Sequence, residues 1–374
     1  MIKILQDGFI RSVAVLLSGT ALAQVLSVAA LPVLTRIFTP SDFKVYAVYL
    51  SIVSIFSVIG CLRLDVAIPL PEREEDAVHL LLMSLGASFL ISIVLFLGLN
   101  FYSYFFSSGL NHERVLEYSW LIPIGVWLAS SYTALQYWAV RKKNFLSITK
   151  TRILQSISSI AAQLVLGWAG FAPVGLLVGQ VMNGGAGIFR LGREAWQDIS
   201  MHLHAINIDK LAETFSRNSK FPKYSVPEEL ANALAIQAPI IIIGFVVLGA
   251  EAGFLLLAMK IMQGPISVLG KAISQVYLSR APDAERAGGL SQLTEDVLFK
   301  LFKFGVGPIL FIGIVADPFS EIILGPSWGR VGVLILWMTP WFALQFVASP
   351  ISVVMYVRNK QRELLVLTTC GLII

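Results

Sequence analysis

Charge is what this 374-residue sequence has least of: lysine, arginine, aspartate and glutamate together make up 14%, against roughly a quarter in an ordinary soluble domain. With 56% hydrophobic residues, a lipid solvent explains the deficit. Cysteine is nearly absent. Cys61 and Cys370 lack the spacing that metal or redox chemistry requires, and they read as small apolar fillers. The sequence has no Walker-type phosphate loop and no HExxH pair, which argues against ATP-driven transport by this chain alone. No polar stretch is long enough to carry a nucleic-acid-binding surface or a cofactor domain. His202 and His204 fall in the longest polar stretch, where a solvated or interfacial role fits better than a metal site. No metal or cofactor is expected.

Long apolar runs are what the sequence does contain. A bilayer core of about 30 Å takes roughly 20 helical residues to cross, and spans are predicted near 12–34, 43–61, 77–99, 119–140, 147–168, 171–190, 226–247, 252–277, 302–324 and 331–357. An eleventh run begins at Leu364 and reaches Ile374, about 16 Å of helix at 1.5 Å per residue; the expectation is that the chain stops inside a membrane helix. The first span is longer than the 7–15 apolar residues of a cleaved signal, so it should be retained. Of 28 lysines and arginines, 22 fall in loops on one side of these spans. Basic loops stay in the cytoplasm, so the N-terminus is expected there. The fold class is therefore an all-α polytopic membrane protein.

The polar stretch at 191–225 divides the chain into an N-terminal six-helix bundle (1–190), a cytoplasmic linker with an interfacial helix, and a C-terminal bundle (226–374) that looks incomplete. A weak internal similarity at an offset of about 208 residues, in which Arg63 falls onto Lys271, suits the parallel repeats of transporters that hold substrate between two halves.

Polar residues inside the spans lie in stripes. Lys260, Gln263, Ser267, Lys271 and Ser274 are three or four apart, hence on one helix face. Arg152, Ser156, Ser159 and Gln163 repeat the pattern in the fifth span; Ser130, Thr133, Tyr137 and Arg141 do so in the fourth, and Thr20, Gln24 and Ser27 in the first. Charges at such depth usually face a bundle interior or an aqueous path, whereas serine and glutamine also serve to bind helices together. Arg63 and Asp65 lie where the second span leaves the membrane. Asp317 and Glu321, one turn apart near the outer end of the ninth, could face a coupling cation, as could Asp65. Trp120, Trp138, Trp168 and Trp328 sit at predicted boundaries, as an aromatic belt requires. Trp337 and Trp341 lie deeper, where packing or lipid contact is the simpler reading.

Two segments, LSGTALAQVLSVAALPVLTRIFTPSDFKVYAVYLSIVSIFSVIGCLRLDVAIPLPEREEDA and FPKYSVPEELANALAIQAPIIIIGFVVLGAEAGFLLLAMKIMQGPISVLGKAISQVYLSR, resemble the start of each half of oligosaccharide flippases, the Wzx-type polysaccharide biosynthesis proteins of the multidrug and lipid exporter superfamily. The resemblance implies two six-helix bundles around a central cationic cavity, and transfer of a polyprenyl-pyrophosphate-linked oligosaccharide from the cytoplasmic to the periplasmic leaflet. It marks Arg36, Arg63, Asp65 and Lys271 as pattern positions; Lys44 departs from it, standing where that family usually has glycine. On this reading Lys260, Lys271, Arg152 and Arg63 meet the anionic headgroup, Gln263, Ser267, Gln163 and Gln24 meet the glycan, Arg36 is a further substrate-binding position, and membrane lipids and polysaccharide polymerase machinery are the partners. A multidrug exporter on the same scaffold ranks second, because cationic drugs favour acidic cavities. A membrane glycosyltransferase or polymerase ranks third, because the outer loops are short and poor in carboxylates.

Overall fold

The computed structural model describes residues 18–106, 117–201, 207–247 and 249–348, with positions 351, 354, 363 and 366. The described residues are helical throughout, without strands. The helices are α1 (Ser18–Ile37), α2 (Pro40–Gly60), α3 (Leu64–Ala67), α4 (Glu74–Phe106), α5 (Leu121–Arg141), α6 (Phe145–Trp168), α7 (Val174–Gly185), α8 (Ile188–Ser200), α9 (Ile208–Arg217), α10 (Val226–Val246), α11 (Glu251–Arg286), α12 (Leu290–Leu301), α13 (Gly307–Leu324) and α14 (Gly329–Ala348). Among the described residues, α1, α2, α4, α10 with the π turn before it, α13 and the segment ending in α14 are long and apolar enough on their own to cross a membrane. The polar-striped helices α5, α6 and α11 are absent from that set, since polar stripes lower the average hydropathy of a helix.

Sequence sets the helix boundaries locally. Thr39 caps α2 by accepting from the Asp42 amide, while the Asp42 carboxylate accepts from the Thr39 amide at 2.8 Å, and Pro40 opens the first turn. The TPSDF segment is thus a capping box with proline at the first position. Gly170 and Gly325 end α6 and α13 with positive φ, a conformation glycine takes without steric cost.

One core cluster runs from α1 and α2 through α5 and α7 to α11, α13 and α14; a second lies at the arginine- and lysine-rich end and joins Cys61, Leu64, Ile68, Leu81, Trp138 and Ile199. Outside this packing, Phe89, Val94, Leu97, Phe311, Ile314 and Leu344 are exposed, an apolar girdle of the kind that belongs against lipid. Trp337 is 79% exposed and joins that girdle. Trp120 and Trp168 are also exposed, as a boundary belt requires. Trp138 and Trp328 are not: both are buried, Trp138 donating to the Asp198 carboxylate at 3.1 Å and Trp328 to the Thr35 carbonyl at 2.9 Å. The correction has a physical reason, since an indole N–H is satisfied as well by a buried acceptor as by headgroup water.

Two helices of the polar stretch after the sixth span are described. α8 packs Leu191, Ala195 and Ile199 into the second core cluster, and α9 lies against α4, with Lys210 3.8 Å from Glu75 and Thr214 beside His79. His202 and His204 lie outside the described residues, as does the run from Leu364 apart from Val366.

Candidate functional site

Helix α2 is the wall between the two halves of the chain, packing against α5 on one side and α10 and α11 on the other. Its buried face carries Tyr46, 1% exposed, whose hydroxyl donates to Gln180 Oε1 of α7 at 2.9 Å. From the opposite half α11 brings Lys260, whose Nζ lies 3.3 Å from that hydroxyl and 5.1 Å from the ring centroid. The three form a chain in which an ammonium donates to a phenol and the phenol to an amide carbonyl. Each donor is polarised by the one before it, and the lysine is held by both hydrogen bonding and the ring face. Lys260 is half-buried, and so is Gln263 one turn on. Ser267 and Lys271 continue the helix at the expected spacing; their side chains lie outside the described residues.

The α6 stripe turns inward to its neighbours. Arg152 Nη1 donates to the Thr20 hydroxyl of α1. Ser156 bonds the Ala23 carbonyl at 3.1 Å and lies 3.2 Å from the Ser27 hydroxyl. Gln163 is buried, with its side chain against Gly179 of α7. This stripe therefore binds α1 and α7 to α6. Gln24 sits at the crossing of α1 with α11, beside Gly264.

At the basic end, Leu62 and Arg63 adopt left-handed backbone angles, φ 52° and 58°, which turn the chain sharply out of α2 into α3. Arg63 reaches across to Glu229 of α10 at 3.6 Å, linking the halves. Asp65 is 3% exposed, and its Oδ1 has no hydrogen-bond partner. Burial pushes this carboxyl above the usual carboxylate range, against the pull of the Arg63 guanidinium. Next to it Arg141 closes the loop after α3 by donating to the carbonyls of Ile68, Pro71 and Arg73.

The opposite end holds the remaining candidates. Arg36 is exposed in the last turn of α1, and Asp317 and Glu321 are exposed on α13, with the Glu321 carboxylate over Gly329. Lys44 donates to the Val247 carbonyl at 3.2 Å, so the residue at the departing position ties the two halves together.

Sequence reasoning missed Tyr46, Gln180 and Glu229. Gln180 carried a usable signal, since it is a lone amide in the apolar run LLVGQVM. Tyr46 carried none, because a tyrosine among apolar residues reads as core until its partner is known.

A set of membrane-length helices, with a cation and its partners held where the N-terminal helices meet the C-terminal ones, is the architecture of a multi-pass membrane protein. The chain matches the model of the polysaccharide biosynthesis protein family over residues 33–332 and belongs to that family. It is 23% identical over 316 residues to the succinoglycan biosynthesis transport protein ExoT of Rhizobium meliloti (strain 1021), covering 81% of this chain and 60% of that protein. Among solved structures, it is similar to a variant of the MATE transporter VcmN of Vibrio cholerae, with TM-score 0.55, 11% identity, and coverage of 96% of this chain and 87% of the other. A MOP superfamily transporter from Pyrococcus furiosus, described as having a binding pocket of reversed polarity, gives TM-score 0.53 and 13% identity over 96% of this chain and 83% of that one.

Proposed function

We propose that this protein moves a polyprenyl-pyrophosphate-linked oligosaccharide across the cytoplasmic membrane of a bacterium by alternating access between its two halves, with the basic end in the cytoplasm. The observation that carries this reading is Lys260, an ammonium positioned by Tyr46 and Gln180 inside the interface between the halves. A pyrophosphate cannot enter hydrocarbon without a compensating cation. Lys260 offers one that is hydrogen-bonded to the Tyr46 phenol, so exchanging the phenol for a phosphate oxygen replaces a neutral acceptor with an anionic one.

The tail needs only apolar surface. A cleft of about 460 Å³ lies between α1 and α13, lined by Val28, Leu31, Pro32, Phe311, Phe319 and Ile323, with Ile261 of α11 at its base. An isoprenoid chain can lie in such a groove while the headgroup passes between the halves. Division into bundles at residues 1–190 and 226–374 joined by the 191–225 segment, polymerase machinery as a partner, glycan contacts from Gln263 and Ser267, and anion contacts from Lys271 and Arg152 belong to the same proposal.

The test is complementation of a strain lacking its polysaccharide flippase, reading surface polysaccharide. The expected result is that the chain restores polymer and that Lys260→Glu combined with Lys271→Glu abolishes it without reducing membrane insertion. Normal polymer from the double variant would overturn the assignment.

A further inference from the structure

Packing does not account for the buried carboxyl of Asp65 at the basic end. Its Oδ1 lies in the interior without a hydrogen-bond partner, and the Nε of Arg63, two residues earlier, is likewise buried and unpartnered. Arg63 extends instead to Glu229 in the other half. Two successive left-handed residues, Leu62 and Arg63, set this guanidinium between a carboxylate of its own half and one of the other.

The remaining titratable and charged groups on the surrounding elements are engaged elsewhere or uncharged. From α2, the Cys61 thiol donates to the Ser130 carbonyl at 3.2 Å. From α5, Tyr137 faces Asp65 and Arg63, Arg141 is occupied by three carbonyls, and Lys142 pairs with Glu74 and lies 3.5 Å from Asp198. On α4, Glu75 pairs with Lys210, His79 meets Thr214, and Asp76 is half-buried. In the π turn before α10, Lys223 sits over the Tyr224 ring at 5.5 Å, and Glu228 beyond it is exposed. Arg63 and Glu229 are the charges that govern Asp65.

We infer that Asp65 is a proton-binding site that couples a proton to the opening of the basic end, by deciding which half holds Arg63. With a proton on Asp65 the carboxyl is neutral, Arg63 turns to Glu229, and the halves are tied together. When that proton leaves to water, the new carboxylate competes for Arg63 from two residues away, the Glu229 pair weakens, and the end opens. The arrangement with Arg63 on Glu229 and Oδ1 unpartnered is the one expected for the neutral carboxyl, because burial disfavours the charged form more than the backbone amides of Asp65 and Val66 and the Arg63 guanidinium favour it. The inference rests on the transporter reading for its purpose and not for its chemistry, since it concerns the empty protein.

The test places spin labels at Leu70→Cys, after α3, and Tyr224→Cys, in the π turn that leads into α10, both exposed at this end, in the full chain with Cys61→Ser and Cys370→Ser. Distances are measured in proteoliposomes without substrate from about pH 5 to pH 9. The expected result is a short distance at low pH that gives way to a longer one as pH rises. Asp65→Asn should hold the short distance at every pH, Asp65→Glu should keep a pH response, and Glu229→Gln should give the long distance throughout. A distance that ignores pH in the unmodified gate, or an unaltered response in Asp65→Asn, would overturn the inference; if Asp65→Asn fails to insert, an unaltered response in Glu229→Gln does the same. Because no substrate enters the measurement, a chain that gates with pH yet fails to restore polysaccharide would separate failure of the flippase reading from failure of this one.

Discussion

The two ends of the contact between the halves are built from different materials. At the end away from the basic loops, backbone meets backbone: a Cβ on Gly253 would lie 2.7 Å from the Pro40 carbonyl oxygen and 2.8 Å from the Lys44 nitrogen. Trp328 is fully buried there, edge-on to Phe43 and Phe254 at 5.0 and 5.8 Å between ring centroids. At the basic end a half-exposed ion pair, Arg63 with Glu229, joins the halves, beside a buried carboxyl. Dispersion and close approach hold the first contact in a single geometry, whereas an ion pair of the second kind is worth roughly 0–1 kcal/mol and answers to protons and salt. In this conformation one end is a seal and the other a catch, and the Lys260 chain lies on the wall between them.

The largest effect is expected from breaking the seal. Trp328→Ala removes a buried indole and its bond to Thr35, and should cost about 4 kcal/mol in unfolding measured in detergent. Gly253→Val forces a side chain into backbone that cannot yield and should cost about 3 kcal/mol in the same assay. Tyr46→Phe keeps the ring under Lys260 but deletes the hydroxyl that joins it to Gln180; with both partners half-buried or better, a loss of about 1–2 kcal/mol is expected. Glu229→Gln should move stability by less than about 1 kcal/mol, a contrast with Gly253→Val that sharpens the distinction between the two ends. Trp337→Leu, out in the apolar girdle, should stay within about 0.5 kcal/mol; a cost as large as that of Trp328→Ala would show that exposure does not separate the two tryptophans.

Much of the fold was legible because lipid imposes length and charge sorting on the sequence. The boundaries of α2, α10 and α13 follow from apolar runs ending at Gly60, Val247 and Gly325, and the capping box at Thr39 can be read from TPSDF. The stripes were legible as stripes but not as contacts. Spacing puts Ser156 and Gln163 on one face of α6 with Arg152, yet whether that face meets water or α1 and α7 depends on which helices are neighbours, which periodicity does not encode. Trp138 and Trp328 were misplaced for the same reason, since hydropathy finds the boundary while only the packed structure shows the acceptor. Glu229 carried no signal of its own, because its arginine partner lies in the other half, far away in sequence.

The most direct measurement of the central claim is the rate at which a fluorescent polyprenyl-pyrophosphate oligosaccharide crosses the bilayer of proteoliposomes containing the wild-type chain or Lys260→Met. Losing a charge-assisted contact worth roughly 1.5–3 kcal/mol should slow translocation by about ten- to a hundredfold while the protein remains folded. Equal rates for the two proteins would show that the cation between the halves takes no part in carrying the anion across.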